Sequence, residues 1–365
     1  MGGHASSNHL LRLRQKKLKG KAGRERQGAA ALNRILLVQG LRAAAALAVV
    51  LHHVLHEAYG SSGLAWLAGP PWDAGVDVFF VISGFVMVHA SARMFGVPGA
   101  WAVFLRRRLA RIAPLYWAAT LAFLLAMLLL PGKVNTPAPD MAWLLASLAF
   151  LPWARPDGVV VPVYSLGWTL NYEMFFYAAF ALALPLRRGR AVAAVAGALG
   201  GVVLAGWLWP PRSSALAFWA DPIILQFVAG MGVALLAARQ LRLPGAMRWV
   251  LAGLGLLLLL ALPAEWARGL RFAPGATLLL MAAALGPTPA LPGPVALWLG
   301  RLGDASYALY LLHPFALRGV AVLVAAWGLP AGLASALALV LAVALAPACH
   351  AWFEAPLTRA LQRKG

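Results

Sequence analysis

Long apolar runs separated by short polar turns fill most of this 365-residue chain. A helix that spans a bilayer needs about 20 mostly apolar residues. Ten stretches approach that length: roughly 36–56, 76–93, 110–130, 164–186, 191–209, 219–238, 247–262, 273–287, 303–327 and 331–352. The seventh and eighth are short and their limits are the least sharp. "MAWLLASLAFLPW" at 141–153 is shorter still. Counting it as a crossing would put Arg187, Arg188 and Arg190 outside, so it is expected to be re-entrant or interfacial. The pattern predicts an all-α, polytopic integral membrane bundle of about ten transmembrane helices. The membrane domain would cover 35–357, between a basic disordered tail at 1–34 and a short C-terminal tail at 358–365.

Composition agrees with this class. Hydrophobic residues make up 62%, against about 45–50% apolar in soluble domains. Charged residues make up 12%, and mean hydropathy is +0.77. A net charge of +20 raises the question of nucleic acid, but the placement of the cations answers it. In the ten-span scheme 24 Lys and Arg fall on one side and 5 on the other, as the positive-inside rule expects. The basic residues are therefore topology signals, no nucleic-acid partner is expected, and both termini are placed in the cytoplasm. Cys349 is the only cysteine, so an internal disulfide is impossible. There is no Walker loop, dinucleotide fingerprint, internal repeat or metal-ligand cluster.

Ionisable groups inside apolar spans are costly, and usually face a polar interior or a substrate path. Asp77, Glu173, Arg42, His52, His53 and His313 all lie inside such runs. In the first span Arg42 and His53 are eleven residues apart, which returns to nearly the same helix face with a rise of about 16 Å. His52 points roughly 80° away. A snorkelling arginine and an interfacial histidine would account for each residue singly; their shared stripe is what favours a functional pair.

Asp77 in "GVDVFFVISGF" needs a partner such as an arginine, either for packing or for substrate. Ser83 and Gly84 permit close helix approach. Arg108 and Arg111, at the start of the third span, share a face as an i, i+3 pair. Arginine forks suit phosphate oxygens, although such a cluster also serves topology. His313 precedes Pro314, whose missing N–H frees a backbone carbonyl for it. Tyr307 and Tyr310 are placed to line a cavity.

"LRAAAALAVVLHHV", "GVDVFFVISGFVM", "RRRLARIAPLYW", "GWTLNYEMFFY", "SYALYLLHPF" and "FEAPL" occur in the order found in membrane acyltransferase family 3. The resemblance runs over roughly 36–357. "GWTLNYEMFFY" in particular resembles the exopolysaccharide-production acetyltransferase branch. The resemblance implies a bacterial inner-membrane O-acetyltransferase, with acetyl-CoA as donor, no metal, and a saccharide acceptor, extracytoplasmic or lipid-linked. The family's arginine, ten intervening residues and histidine fall on Arg42 and His53. Its paired arginines fall on Arg108 and Arg111, and its glutamate segment on Thr169, Leu170 and Glu173. His52 departs from the pattern, since the family often has an apolar or aromatic residue there.

The expected site is thus His53, Glu173 and Arg42 for catalysis. Arg108 and Arg111 would serve the donor, and Asp77, Tyr307 and Tyr310 the substrate. Glu173 would orient His53, hold an arginine or bind a sugar hydroxyl. A proton-coupled exporter of a lipid-linked sugar or small molecule is the rival reading, because intramembrane acids and histidines also build proton relays. A structural subunit of a polysaccharide assembly complex is a third.

Overall fold

The computed structural model describes residues 36–56, 69–130, 136–155, 157–286 and 293–363. The expected tail at 1–34 lies outside the described residues. Among those described, helices dominate and no strand forms; one isolated bridge joins Ala154 and Val160. The helices in chain order begin with α1 (Leu36–His56), α2 (Gly75–Ala90), α3 (Ala100–Leu129), α4 (Met141–Leu148), α5 (Trp168–Ala183) and α6 (Arg188–Leu208). There follow α7 (Ser214–Trp219), α8 (Leu225–Ala238), α9 (Gly245–Ala261), α10 (Arg268–Ala284) and α11 (Gly293–Asp304). The chain ends with α12 (Ser306–Trp327), α13 (Ala331–Cys349) and α14 (Ala355–Arg363).

Each of the ten predicted spans falls on one of these helices. Among the described residues six segments are long and apolar enough to cross a membrane: α1, α2 with its entry turn, α3, α6, α12, and α13 continued through α14. The other four predicted spans correspond to α5, α8, α9 and α10, which have 16, 14, 17 and 17 residues. These are shorter than a straight crossing needs, because turns and 3₁₀ segments cut into the apolar runs.

Helix α2 lies deep in the bundle, and its contact with α8 is backbone to backbone. A Cβ on Gly84 would lie 2.0 Å from the Phe227 carbonyl oxygen, and one on Gly230 would lie 1.8 Å from that of Val81. Only glycine permits such an approach, as expected of small-residue membrane interfaces. At its outer turn Asp77 is fully buried. Arg268 of α10 donates to it at 2.7 Å and Gln226 of α8 at 2.6 Å. Three helices are thereby joined at one carboxylate.

Two segments that the apolar pattern leaves undefined take definite form. The segment at 141–153 is an eight-residue helix followed by an extended stretch. Asp140 caps α4, and Tyr116 and Trp117 of α3 donate to its last carbonyls, those of Ser147 and Leu148, at 3.2 and 2.9 Å. The expected tail from 358 onward is helical to Arg363 and packs on α3. It continues the last apolar segment past the π-helical turn at His350–Glu354, and its docking depends on bonds to a distant helix.

Candidate functional site

Aromatic stacking sets the orientation of α5. Phe176 stacks on Phe227, Tyr172 on Phe218 and Phe175 on Trp219, with ring centroids 4.4, 4.1 and 5.0 Å apart. The rings therefore meet other helices and turn Glu173 inward. Ser83 of α2 donates to Glu173 Oε1 at 2.6 Å, and the Tyr177 hydroxyl donates to the same oxygen. Tyr177 is one helical turn on and so shares the face.

Glu173 lines a cavity of about 210 Å³. Arg42, Arg108, Arg111, Tyr307 and Tyr310 line it too, with Ser83, Thr169, Tyr177 and Ser306. Six of the eight residues expected in the site thus share one space. Arg42 donates to Ser306 at 3.0 Å, which ties α1 to the start of α12. The Tyr307 hydroxyl donates to the Ile112 carbonyl at 2.7 Å. That of Tyr310 reaches the Leu166 carbonyl at 2.9 Å and lies 3.1 Å from Thr169 Oγ1. The two tyrosines therefore hold α12 against α3 and against the turn before α5.

Arg108 and Arg111 also border a second cavity of about 500 Å³, with Arg107, Arg359, Gln362 and Arg363. The two spaces share the arginine pair as a common wall. Helix α3 begins at Ala100, ahead of the apolar span, so Arg108 and Arg111 stand on helical turns at the mouth of the bundle. Arg108 also lies over the Phe104 ring, 5.5 Å from its centroid.

His53 does not line the inner cavity. Its ring centroid lies 4.8 Å from that of His313, which in turn is 6.3 Å from Tyr310, a cavity residue. The imidazoles therefore stand just beyond the Tyr310 end. His53 Nδ1 is 2.9 Å from the Val49 carbonyl. A carbonyl can only accept, so Nδ1 carries a proton, and in the neutral ring Nε2 is the acceptor. The orienting group is this backbone oxygen, not Glu173. His313 is fully buried, with Nδ1 3.3 Å from the Leu309 carbonyl and Nε2 without a partner among the described residues. His52 faces the other way and stacks on His56, with centroids 4.2 Å apart.

Asp77 lies apart from the other expected site residues, outside the lining of either cavity. Both its oxygens are engaged and the residue is sealed from both cavities, because α2 presents it to α8 and α10. Ser306, Tyr177, Arg359, Gln362 and Arg363 were not expected. Helix periodicity points to Tyr177 once Glu173 is chosen; the others depend on tertiary packing.

A cavity inside an apolar helical bundle, lined by three arginines and a glutamate and with imidazoles just beyond its Tyr310 end, marks a membrane protein with an internal site. The chain belongs to the acyltransferase domain family, acyltransferase family 3, whose sequence profile matches residues 36–350. It is an acyltransferase. It is 38% identical over 298 residues to the exopolysaccharide production protein ExoZ of Rhizobium meliloti, covering 78% of this chain and 89% of that protein. It is 27% identical over 318 residues to acyltransferase MdmB of Streptomyces mycarofaciens, covering 78% of this chain and 79% of that one. No solved structure matches the chain.

Proposed function

We propose that this acyltransferase moves an acetyl group from cytoplasmic acetyl-CoA to a hydroxyl of an extracytoplasmic or lipid-linked saccharide, in a bacterial inner membrane. The observation that carries the proposal is the pair of cavities sharing Arg108 and Arg111. The outer one has the size of a small-molecule site, about 300–1,000 Å³, and is ringed by guanidinium groups suited to phosphates. The inner one is too small for a nucleotide and suits a slender arm carrying a thioester. The similarity to an exopolysaccharide production protein supports a saccharide acceptor.

In the proposed reaction the acceptor hydroxyl stands at the His53 end, and Nε2 of His53 takes its proton. The alkoxide oxygen forms a bond to the thioester carbonyl carbon, and the carbon–sulfur bond breaks to release the coenzyme thiolate. The proton passes from His53 to the departing sulfur or to water. An imidazole has the basicity this step needs near neutral pH. Arg42 and Glu173 line the inner cavity between the arginine mouth and the His53 end, where fixed charges act strongly on the arm that carries the thioester. Membrane lipids surround the bundle.

The test uses purified protein in nanodiscs with radiolabelled acetyl-CoA and membrane glycans, alongside mass spectrometry of surface glycan from cells with and without the protein. Label should move to glycan, and the glycan should lose one acetyl mass when the protein is absent. Unlabelled glycan and identical masses would refute the proposal.

A further inference from the structure

We propose that the C-terminal helix α14 completes the donor site, with Arg359 and Arg363 holding the 3′-phosphate of the coenzyme; this rests on the donor reading above.

Proline at 114 removes one N–H from α3 and so leaves the Ala110 carbonyl without its helical partner. The Thr358 hydroxyl of α14 donates to that carbonyl at 3.3 Å, and Gln362 Nε2 donates to the Arg107 carbonyl at 3.3 Å. A defect in α3 thus becomes the docking point of α14. The consequence is five guanidinium groups around one cavity, from Arg107, Arg108, Arg111, Arg359 and Arg363, with no carboxylate in its lining among the described residues.

Topology alone does not explain this arrangement. The positive-inside rule asks for cations on one side of the membrane, not for two distant segments turned toward a shared space. Glu354, just before α14, is buried and already engaged with His350 at 3.0 Å. Like charges in one cavity repel, and an anion would relieve the repulsion.

The division between the two helices suggests which anion each binds. Arg108 and Arg111 border both cavities, so they suit the pyrophosphate from which the pantetheine arm runs inward. Arg359 and Arg363 border only the outer cavity. They suit a phosphate at the far end of the nucleotide. The 3′-phosphate carries about two negative charges at neutral pH, as phosphomonoesters do.

The experiment compares acetyl-CoA with acetyl-3′-dephospho-CoA in nanodiscs of neutral and of anionic lipid, for the wild type and for Arg359→Gln with Arg363→Gln. Wild type should prefer the phosphorylated donor by about tenfold or more in kcat/KM, the scale of a charge-assisted pair. The double variant should lose most of that preference in both lipids. Arg359→Lys with Arg363→Lys, which keeps the charge and loses the fork, should retain part of it and guards against a folding defect in the first variant. A preference that survives both variants would overturn the assignment. So would a defect equal for both donors that varies with anionic lipid, which would give these cations to lipid phosphate. Titration of coenzyme A and its 3′-dephospho form separates the two readings. Phosphate-sensitive binding without acetyl transfer would keep this site and sink the acetyl reaction. Absence of any coenzyme binding would overturn both.

Discussion

His53 Nδ1 donates to the Val49 carbonyl, and this decides which nitrogen can act. Nε2 is left as acceptor in the neutral ring, which packs against His313, while His52 stacks on His56. His53→Ala should therefore cost about a hundred- to ten-thousand-fold in acetyl transfer, the usual loss for a general base. His52→Ala should keep most activity, measured at matched expression in nanodiscs. The reverse ranking would put the base on the other face of α1. Glu173→Gln keeps the side-chain shape and removes the charge that Ser83 and Tyr177 now bond. It should abolish transfer while the protein still inserts, and retained activity would leave Glu173 a packing role. At this scale much was legible. An acid among aromatics and an arginine and histidine eleven residues apart stand out in an apolar chain because burying charge is costly. The partners were not legible: Arg268 lies 191 positions from Asp77, and no local pattern links them.

Helices α2, α8 and α10 are joined at that same carboxylate, and the bond belongs to their packing. Removing one member of a buried pair typically costs about 3–5 kcal/mol, whereas replacing both by apolar residues is often nearly neutral. Asp77→Leu should therefore lower the melting temperature in detergent. The loss should stay below that range because Asp73 remains paired with Arg268 at 2.5 Å. Asp77→Leu with Arg268→Met should lose less than the sum of the single changes, as neighbouring sites do. An intact fold with weakened acceptor binding in Asp77→Asn would instead return Asp77 to the substrate site. Element positions were largely visible, since hydropathy marks helices directly. Helix α3 starts about ten residues before its predicted apolar span, because hydropathy marks only the apolar part, although arginine is a good helix former. Helix α14 was read as a tail because its docking rests on a carbonyl freed by Pro114.

Across the whole molecule the mouth and the imidazoles lie at opposite ends of the site, which ties chain direction to function. Helix α1 runs from the Arg42 end to the His53 end, rising about 16 Å between them. Helix α12 runs the same way, from Ser306, bonded to Arg42, to His313, beside His53. Helix α14 closes the arginine mouth against α3. The start of α1, the basic start of α3 and the C-terminal helix therefore share one end of the bundle, whatever the number of crossings. In the proposed orientation that end faces the cytoplasm, as the 24-to-5 distribution of cations in the ten-span scheme favours, and an acetyl-CoA donor would be found there. A fluorescent protein fused after the last residue should therefore mature and be active. Alkaline phosphatase fused there should stay inactive, because its disulfides form only outside the cytoplasm. Phosphatase activity from that fusion would place the mouth on the wrong side for acetyl-CoA. The donor reading and the role given to α14 would then fail together, while the family membership and the geometry of the cavity would stand.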